Sequence, residues 1–210
     1  MTRETVAQGP PSVPIRGFPR RHVTPTDVLH RGHTAAYRPW WFGCDGGGRF
    51  DLHPPRGTCY LADSAAIAVR ERLGTVLGTR VTVPASLLDG VVVSRLHLPH
   101  PCDLANLQSS AASRFGVLRE LEVMVPYYVP QDWATAFDQE GFGGVAYGPR
   151  FSTGPSSSYA VFGPAGSADW PVDPEPVPAR DVTGAPVAVD PPLSSEVTVV
   201  RTPGTRARGR

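Results

Sequence analysis

Short stretches in which apolar and polar residues alternate run through the middle of the chain. This period of two is typical of half-buried strands. Five stretches are predicted to be strands, at residues 27–31, 58–61, 91–98, 144–147 and 158–162. They are short and are joined by irregular connections, so the pattern predicts a sheet-rich domain.

Helical patterns are fewer than strand patterns. Residues 64–73 are predicted to form a helix, with Asp63 or Ser64 as the N-cap and a glycine just beyond the last turn. Further helices are predicted at residues 106–121, with an interruption at a glycine, and at residues 133–140. Because strands outnumber helices, the fold class is predicted to be α+β rather than a doubly wound parallel sheet.

Both ends of the chain are rich in proline and poor in large apolar residues. Residues 1–21 are predicted to be an extended leader, and residues 22–166 a single domain large enough to bury its own core. Residues 167–210 contain 8 prolines and little apolar mass, which predicts a disordered tail.

The charged residues exclude some functions. The chain has 20 basic and 19 acidic residues, and a net charge of +1 gives no general electrostatic reason to bind nucleic acid. All the basic residues are arginines, so no lysine is present to form a Schiff base or to bind phosphate in a P-loop.

Cysteine usage and hydropathy predict a cytoplasmic protein without a metal site. The three cysteines are odd in number and form no CxxC pair, so a reducing compartment is the simplest interpretation. No secretory signal or membrane-spanning run is present. Residues 97–102 carry two histidines and a cysteine, but prolines separate them and no second ligand pair follows.

A glycine cluster, GCDGGGRF at residues 43–50, allows a sharp turn that presents Arg49 beside an aromatic ring. An arginine held in this way can bind a phosphate through two parallel hydrogen bonds. The cluster lacks the spacing of the nucleotide-binding glycine motifs. A flexible loop with a surface arginine stays the alternative.

Glu71 lies one turn after Ile67 on the helix predicted for residues 64–73, so the two side chains share a face. If Ile67 packs inside, Glu71 lies at the edge of a cleft, where apolar surroundings can tune a carboxylate for acid–base or electrostatic work. The alternative is a solvated glutamate between Arg70 and Arg72.

Four segments of the chain resemble the RES domain family, small bacterial proteins named for a recurring arginine, glutamate and serine. LHRGH carries Arg31, GGRFDL carries Arg49, and TCYLADSAAIAVRERL carries Tyr60 and Glu71. The fourth segment is EGFGGVAYGPRFSTGPSSSYAVFG, and the four occur in the family's order over residues 27–164.

This resemblance implies a fold related to that of ADP-ribosyltransferases, with small, partly antiparallel sheets and short helices around a cleft for a nicotinamide dinucleotide. Known toxins of the family degrade NAD⁺ by hydrolysis or phosphorolysis of the nicotinamide–ribose bond. They are often neutralised by a cognate antitoxin with a helix-turn-helix region. The expected activity is therefore cleavage of NAD⁺, which is the substrate, with no separate cofactor.

The resemblance also implies roles for individual residues. Glu71 is expected to be catalytic, holding the ribose hydroxyls and stabilising positive charge on the ribose. Arg31 and Arg49 are expected to bind the pyrophosphate, and Tyr60 to stack on nicotinamide or hydrogen-bond the ribose. Nicotinamide leaves as a neutral molecule, so no general acid is required.

One departure concerns the family serine, which falls two residues after the tyrosine of the fourth segment. Here Pro149 stands two residues after Tyr147 and has neither a hydroxyl nor an N–H. Ser152 is expected to take over NAD⁺ binding from the missing serine if the loop folds back.

Two other functions stay open. ADP-ribose transfer to a macromolecule would use the same cleft with a different acceptor. A non-catalytic nucleotide- or protein-binding module would be consistent with the loss of the serine at Pro149.

Overall fold

The computed structural model of the protein describes residues 7–78, 80 and 82–190. Its strands are β1 (Arg20–Val23), β2 (Leu29–Thr34), β3 (Trp41–Phe42), β4 (Arg56–Ala62), β5 (Thr82–Pro84), β6 (Val91–Leu96), β7 (Cys102–Asn106), β8 (Gly144–Tyr147), β9 (Ser158–Pro164), β10 (Gly166–Ser167), β11 (Val177–Pro178) and β12 (Val187–Val189). Its α-helices are α1 (Ala65–Leu73) and α2 (Tyr128–Gln139). Its 3₁₀ helices are Gly74–Val76, Ala85–Leu87, Ser110–Phe115, Arg119–Glu122 and Ala179–Asp181.

One large sheet dominates the fold, so the α+β class predicted from the sequence is confirmed. The eight strands of this sheet follow the order β1-β7-β8-β9-β4-β2-β6-β11, and β7 and β8 are the parallel neighbours within it. Two small sheets lie beside it, β3 with β10 and β5 with β12. The prediction of small sheets alone is wrong, because strand pairing continues across the middle of the molecule.

The sheet is nearly divided between β4 and β2. β4 pairs with β9 from Arg56 to Ala62, and β2 pairs with β6 along its whole length. β4 and β2 themselves are paired at His30 and Ala62 alone. The two strands diverge beyond that pair, and a cleft opens between the halves of the sheet.

Helix α1 begins and ends where the sequence predicts. The hydroxyl of Ser64 accepts a hydrogen bond from the backbone N–H of Ile67, and Gly74 ends the helix with φ of 54°. Ile67 and Val69 are buried in the core beneath the helix. Gly32 lets the helix lie against β2, because a Cβ there would be 2.8 Å from the carbonyl oxygen of Ala68.

The prediction of a helix over residues 106–121 is wrong. β7 continues to Asn106, and two separate 3₁₀ helices follow, with Gly116 between them at φ of 78°. The buried residues of the segment are Leu107, Ala112, Val117 and Leu121. This spacing is too irregular to keep one face of an α-helix buried. The helix predicted for residues 133–140 is present but begins at Tyr128.

The ends of the chain are more ordered than predicted. In the leader, Ile15 and Phe18 are buried in the core, and the ring of Phe18 lies 4.8 Å from that of Phe137. The prediction of disorder is wrong for residues 167–190, because Trp170 packs on two buried aromatic rings and β11 pairs with β6. Residues 1–6 of the predicted extended leader and residues 191–210 of the predicted disordered tail lie outside the described residues.

Candidate functional site

Three adjoining pockets lie along the cleft between β2, β4 and α1. The central pocket, of about 270 Å³, is lined by Arg31, Tyr60, Glu71, Tyr147 and Ser158 among others. The loop pocket, of about 290 Å³, shares Tyr60, Glu71 and Tyr147 with it and adds Arg49, Tyr127 and Arg150. The outer pocket, of about 720 Å³, shares Arg31, Gly32 and Arg72 with the central pocket.

Glu71 lies where the central and loop pockets meet. It is in the last turn of α1, and its carboxylate accepts a hydrogen bond of 2.8 Å from the backbone N–H of Phe151. Burial raises the pKa of Glu71, while the nearby guanidinium groups of Arg49 and Arg150 favour the charged form. The site therefore contains a fixed carboxylate that is partly shielded from water.

The glycine loop, residues 46–52, is fastened by a buried network. The hydroxyl of Tyr60 donates to Asp51 at 2.8 Å and accepts from the backbone N–H of Phe50 at 2.8 Å. Asp51 also accepts from the backbone N–H of Gly48 at 2.8 Å, and burial raises the pKa of its carboxyl group. A Cβ at Gly48 would be 2.3 Å from both Asp51 Oδ1 and the Tyr60 hydroxyl, so only glycine fits.

This loop delivers Arg49 to the loop pocket. The Arg49 side chain is buried, and its guanidinium lies 5.4 Å from the centre of the Tyr127 ring. Its Nε has no hydrogen-bond partner among the described residues. A buried cationic donor without a partner is costly unless a ligand completes it, so Arg49 is suited to bind an anion.

Arg31 is used partly by the protein itself. Its Nη1 donates to the carbonyl oxygens of Pro39 and Trp41, and it lies 3.2 Å from the sulfur of Cys59. These bonds tie β2 to the β3 segment that forms one wall of the outer pocket. All of them involve Nη1, and no hydrogen bond from Nη2 to a described residue is found.

The sequence that forms this cleft matches a known protein family. A family model described as the RES domain matches residues 24–181. The chain belongs to the RES domain family. The resemblance seen in the sequence is thereby confirmed, and the match extends beyond the domain boundary predicted at residue 166.

A solved structure shares this fold. One chain in the crystal structure of the M. tuberculosis MbcT–MbcA toxin–antitoxin complex superimposes with a TM-score of 0.52 at 16% identity, covering 67% of this RES protein and 76% of that chain. At this identity the similarity establishes the fold alone. No curated protein matches the sequence.

The structure brings most of the site residues predicted for this RES domain together. Arg31, Tyr60 and Glu71 line the central pocket, and Arg49 meets Tyr60 and Glu71 in the loop pocket. Arg31 and Arg49 line different pockets, although the two pockets share Tyr60, Glu71 and Tyr147.

Ser152 is the exception among the predicted site residues. It lines none of the three pockets, because the backbone of Phe151 is bonded to α1 on both sides: its N–H donates to Glu71 and its carbonyl oxygen accepts from Arg70. Ser158, at the start of β9, lines the central pocket instead. The hydroxyls of Ser158 and Ser152 are both buried and make no hydrogen bond of good geometry to a described residue, although the Ser158 hydroxyl lies close enough to the Tyr147 hydroxyl to oppose the rise that burial causes in its pKa.

Sequence reasoning missed Ser158, Tyr147 and Arg72 as lining residues. Ser158 and Tyr147 face each other in the pairing of β8 and β9. The sequence signal that could have identified them was a tyrosine at the end of one predicted strand and a serine at the start of the next. Burial and the nearby Glu71 carboxylate raise the pKa of Tyr147, so its phenol stays protonated in the pocket.

Other site types are not found in the described part of the chain. Across residues 7–78, 80 and 82–190, no group of three His, Cys, Asp or Glu side chains is arranged to hold a metal ion. Neither α1 nor α2, the α-helices of that part, is long and apolar enough to cross a bilayer. Cys44, Cys59 and Cys102 are all free thiols.

Proposed function

We propose that this RES domain is a toxin-like enzyme that cleaves the nicotinamide–ribose bond of NAD⁺ by phosphorolysis or hydrolysis. One observation carries the proposal. The Glu71 carboxylate is held by the Phe151 N–H at 2.8 Å at the junction of two pockets, beside a buried arginine, Arg49, whose Nε has no partner in the described part of the chain. A carboxylate next to a buried arginine suits a substrate that carries phosphates and develops positive charge at a sugar.

The reaction is a displacement at the ribose C1′ atom. The bond from C1′ to the pyridinium nitrogen breaks, its electron pair goes to the nitrogen, and nicotinamide leaves as a neutral molecule. The ribose becomes oxocarbenium-like, and the Glu71 carboxylate stabilises that charge while it accepts a hydrogen bond from a ribose hydroxyl. Water then bonds to C1′ and releases a proton, or phosphate bonds through a charged oxygen.

The remaining residues position the substrate. Arg31 binds a phosphate of the dinucleotide, and Arg49 binds an anionic group in the loop pocket. The Tyr60 hydroxyl is occupied by Asp51 and Phe50, so Tyr60 offers its ring face rather than its oxygen. Ser158, which lines the central pocket beside Tyr147, supplies a hydroxyl there in place of Ser152.

A protein partner and a location belong to the same proposal. The similar chain comes from a toxin–antitoxin complex, which supports a cognate antitoxin, such as one with a helix-turn-helix region, for this protein. The free thiols are consistent with a reducing compartment, and we place the protein in the cytoplasm.

Turnover of NAD⁺ by the purified full chain tests the proposal, with and without inorganic phosphate and with identification of the products. Glu71→Gln should lower kcat/KM by more than about tenfold, or ~1.4 kcal/mol of activation free energy. Because the ionised carboxylate is the working form, kcat/KM of the wild type should rise with pH, with a midpoint above the usual value of 4.5.

Glu140→Gln, at the exposed end of α2, is the matched control and should leave turnover unchanged. Labelled ADP-ribose appearing on a macromolecule would favour the transferase instead. Binding of NAD⁺ without turnover would favour the non-catalytic module, and full activity in Glu71→Gln would remove the basis of the mechanism.

A further inference from the structure

The outer pocket has no role in the bond cleavage described above, although it is the largest of the three, at about 720 Å³. It adjoins the central pocket through Arg31, Gly32 and Arg72, which line both. A ligand that reached from Glu71 past these residues would enter it directly. Its volume lies in the range of cavities that hold drug-sized molecules.

Two aromatic side chains stand exposed at this pocket. Tyr37 is 73% exposed and Trp41 is 53% exposed, and both line it. Two exposed aromatic rings at one pocket form a flat apolar surface that is suited to stack on a nucleic acid base.

The position of Trp41 is fixed by the backbone rather than by its own side chain. Its carbonyl oxygen accepts from Arg31 Nη1 at 3.1 Å, and it pairs with Ser167 between β3 and β10. The indole is therefore presented to the pocket by a wall that is fastened to β2.

The charges around the pocket favour an anionic ligand. Its described lining residues include Arg31, Arg38 and Arg72. No aspartate or glutamate is found among the described residues that line the pocket. Arg38 is paired with exposed Asp169 at 3.3 Å, whereas no hydrogen bond or salt bridge is found from Arg72 to a described residue. Arg72 stands at the junction of the outer and central pockets, next in sequence to Glu71.

We propose that the outer pocket binds the adenosine end of the dinucleotide, with Trp41 and Tyr37 as the stacking surface for the base. This inference rests on the proposed cleavage of NAD⁺. The pyrophosphate then lies at the junction, where Arg31 and Arg72 meet it, and the nicotinamide ribose lies at Glu71. Arg49, in the loop pocket, is left to bind the attacking phosphate.

Truncated substrate separates this inference from the proposed function. Nicotinamide mononucleotide contains the bond to be cleaved but lacks the adenosine end. Trp41→Ala should raise the KM for NAD⁺ about tenfold, because stacking on one aromatic ring contributes about that much to base binding. The KM for nicotinamide mononucleotide should stay at the wild-type value.

Trp41→Phe keeps an aromatic face and should restore most of the affinity for NAD⁺. Tyr128→Ala removes an exposed aromatic residue that lines none of the three pockets, and should change neither KM. An equal loss for both substrates in Trp41→Ala, or no loss for either, would overturn the assignment of the outer pocket.

If the wild type cleaves neither substrate, the proposed function fails, and direct binding still tests the pocket. Calorimetric titration with ADP-ribose should then show about tenfold weaker binding to Trp41→Ala than to the wild type. Equal affinities would remove the adenosine subsite.

Discussion

Two loops bring residues to Glu71, and they are held in different ways. In the glycine loop, residues 49–52 are all buried, and its backbone bonds to Tyr60, Asp51 and Thr58. In residues 148–157, which follow β8, no residue is fully buried. The first loop is fixed by its own network, whereas the second is bonded at its two ends, Gly148 and residues 156–157, and to α1 at Phe151.

The difference explains which loop supplies a binding residue. A network of satisfied buried hydrogen bonds fixes the backbone on both sides of Arg49, and its buried side chain therefore starts from a fixed position and lies over the Tyr127 ring. Arg150, on the second loop, lies against the ring of its own neighbour Phe151, with 5.4 Å between the guanidinium carbon and the ring centre. We expect the fixed arginine to contribute more to catalysis than the loosely held one.

The largest loss of activity should come from replacing Arg49, the arginine on the glycine loop. Arg49→Met keeps the volume of the side chain but removes its charge and its donors. It should lower kcat/KM for NAD⁺ by about 10- to 150-fold, the equivalent of ~1.5–3 kcal/mol for a hydrogen bond to a charged group. Arg150→Met, the matched change on the second loop, should cost less than about fivefold.

Although Arg49→Met should lower activity, it should not lower the stability of the protein. Because Arg49 is buried and its Nε has no partner among the residues described, Arg49→Met should leave Tm unchanged or raise it. Thermal unfolding without ligand measures this. A lower Tm together with normal turnover would mean that Arg49 is structural and that the comparison between the loops is wrong.

Adding a Cβ at Gly48 tests how rigidly the glycine loop is held. Gly48→Ala places a Cβ 2.3 Å from Asp51 Oδ1, so the network must shift and Arg49 with it. We expect kcat/KM to fall about tenfold and the free energy of unfolding to fall by ~1–3 kcal/mol. At Gly47 the nearest atom to a Cβ is the exposed Asp45 side chain at 3.2 Å, so Gly47→Ala should change both quantities little. Similar effects in both variants would show that the loop adapts.

The smallest effect distinguishes two serines. Ser158→Ala removes a hydroxyl that faces the central pocket, and should lower kcat/KM by about two- to tenfold, as one neutral hydrogen bond is worth. Ser152→Ala removes a hydroxyl outside the three pockets and should not change turnover. The reverse result would mean that residues 148–157 refold when the substrate binds.

Local signals in the sequence predicted the parts of the site that local structure builds. Ser64 and the glycine after Leu73 define α1 and so place Glu71, and the run of glycines before Arg49 defines its loop. Both signals depend on backbone conformation and capping within a few residues. The strands at 58–61 and 158–162 were likewise visible from their alternation.

The rest depended on contacts between distant segments. Ser158 was missed because it enters the pocket through the pairing of β9 with β4, opposite Ala62. The ordered structure of residues 167–190 was missed because it depends on a few buried contacts. Trp170 packs on Trp40 and Phe42, and Ala179 is buried. Composition averages over such contacts and does not show them.

The pairing of β4 with β9 also has a consequence for the timing of synthesis. Arg31, Arg49, Tyr60 and Glu71 all leave the ribosome early, but the strand that closes the pocket ends at Pro164. Until that strand has emerged, the early residues lie on a chain without the wall formed by Tyr147 and Ser158, and without the N–H of Phe151 that holds Glu71. Domains fold as units once their last strand is available. The ribosome-bound chain therefore carries every charged group of the central pocket while the site itself does not yet exist.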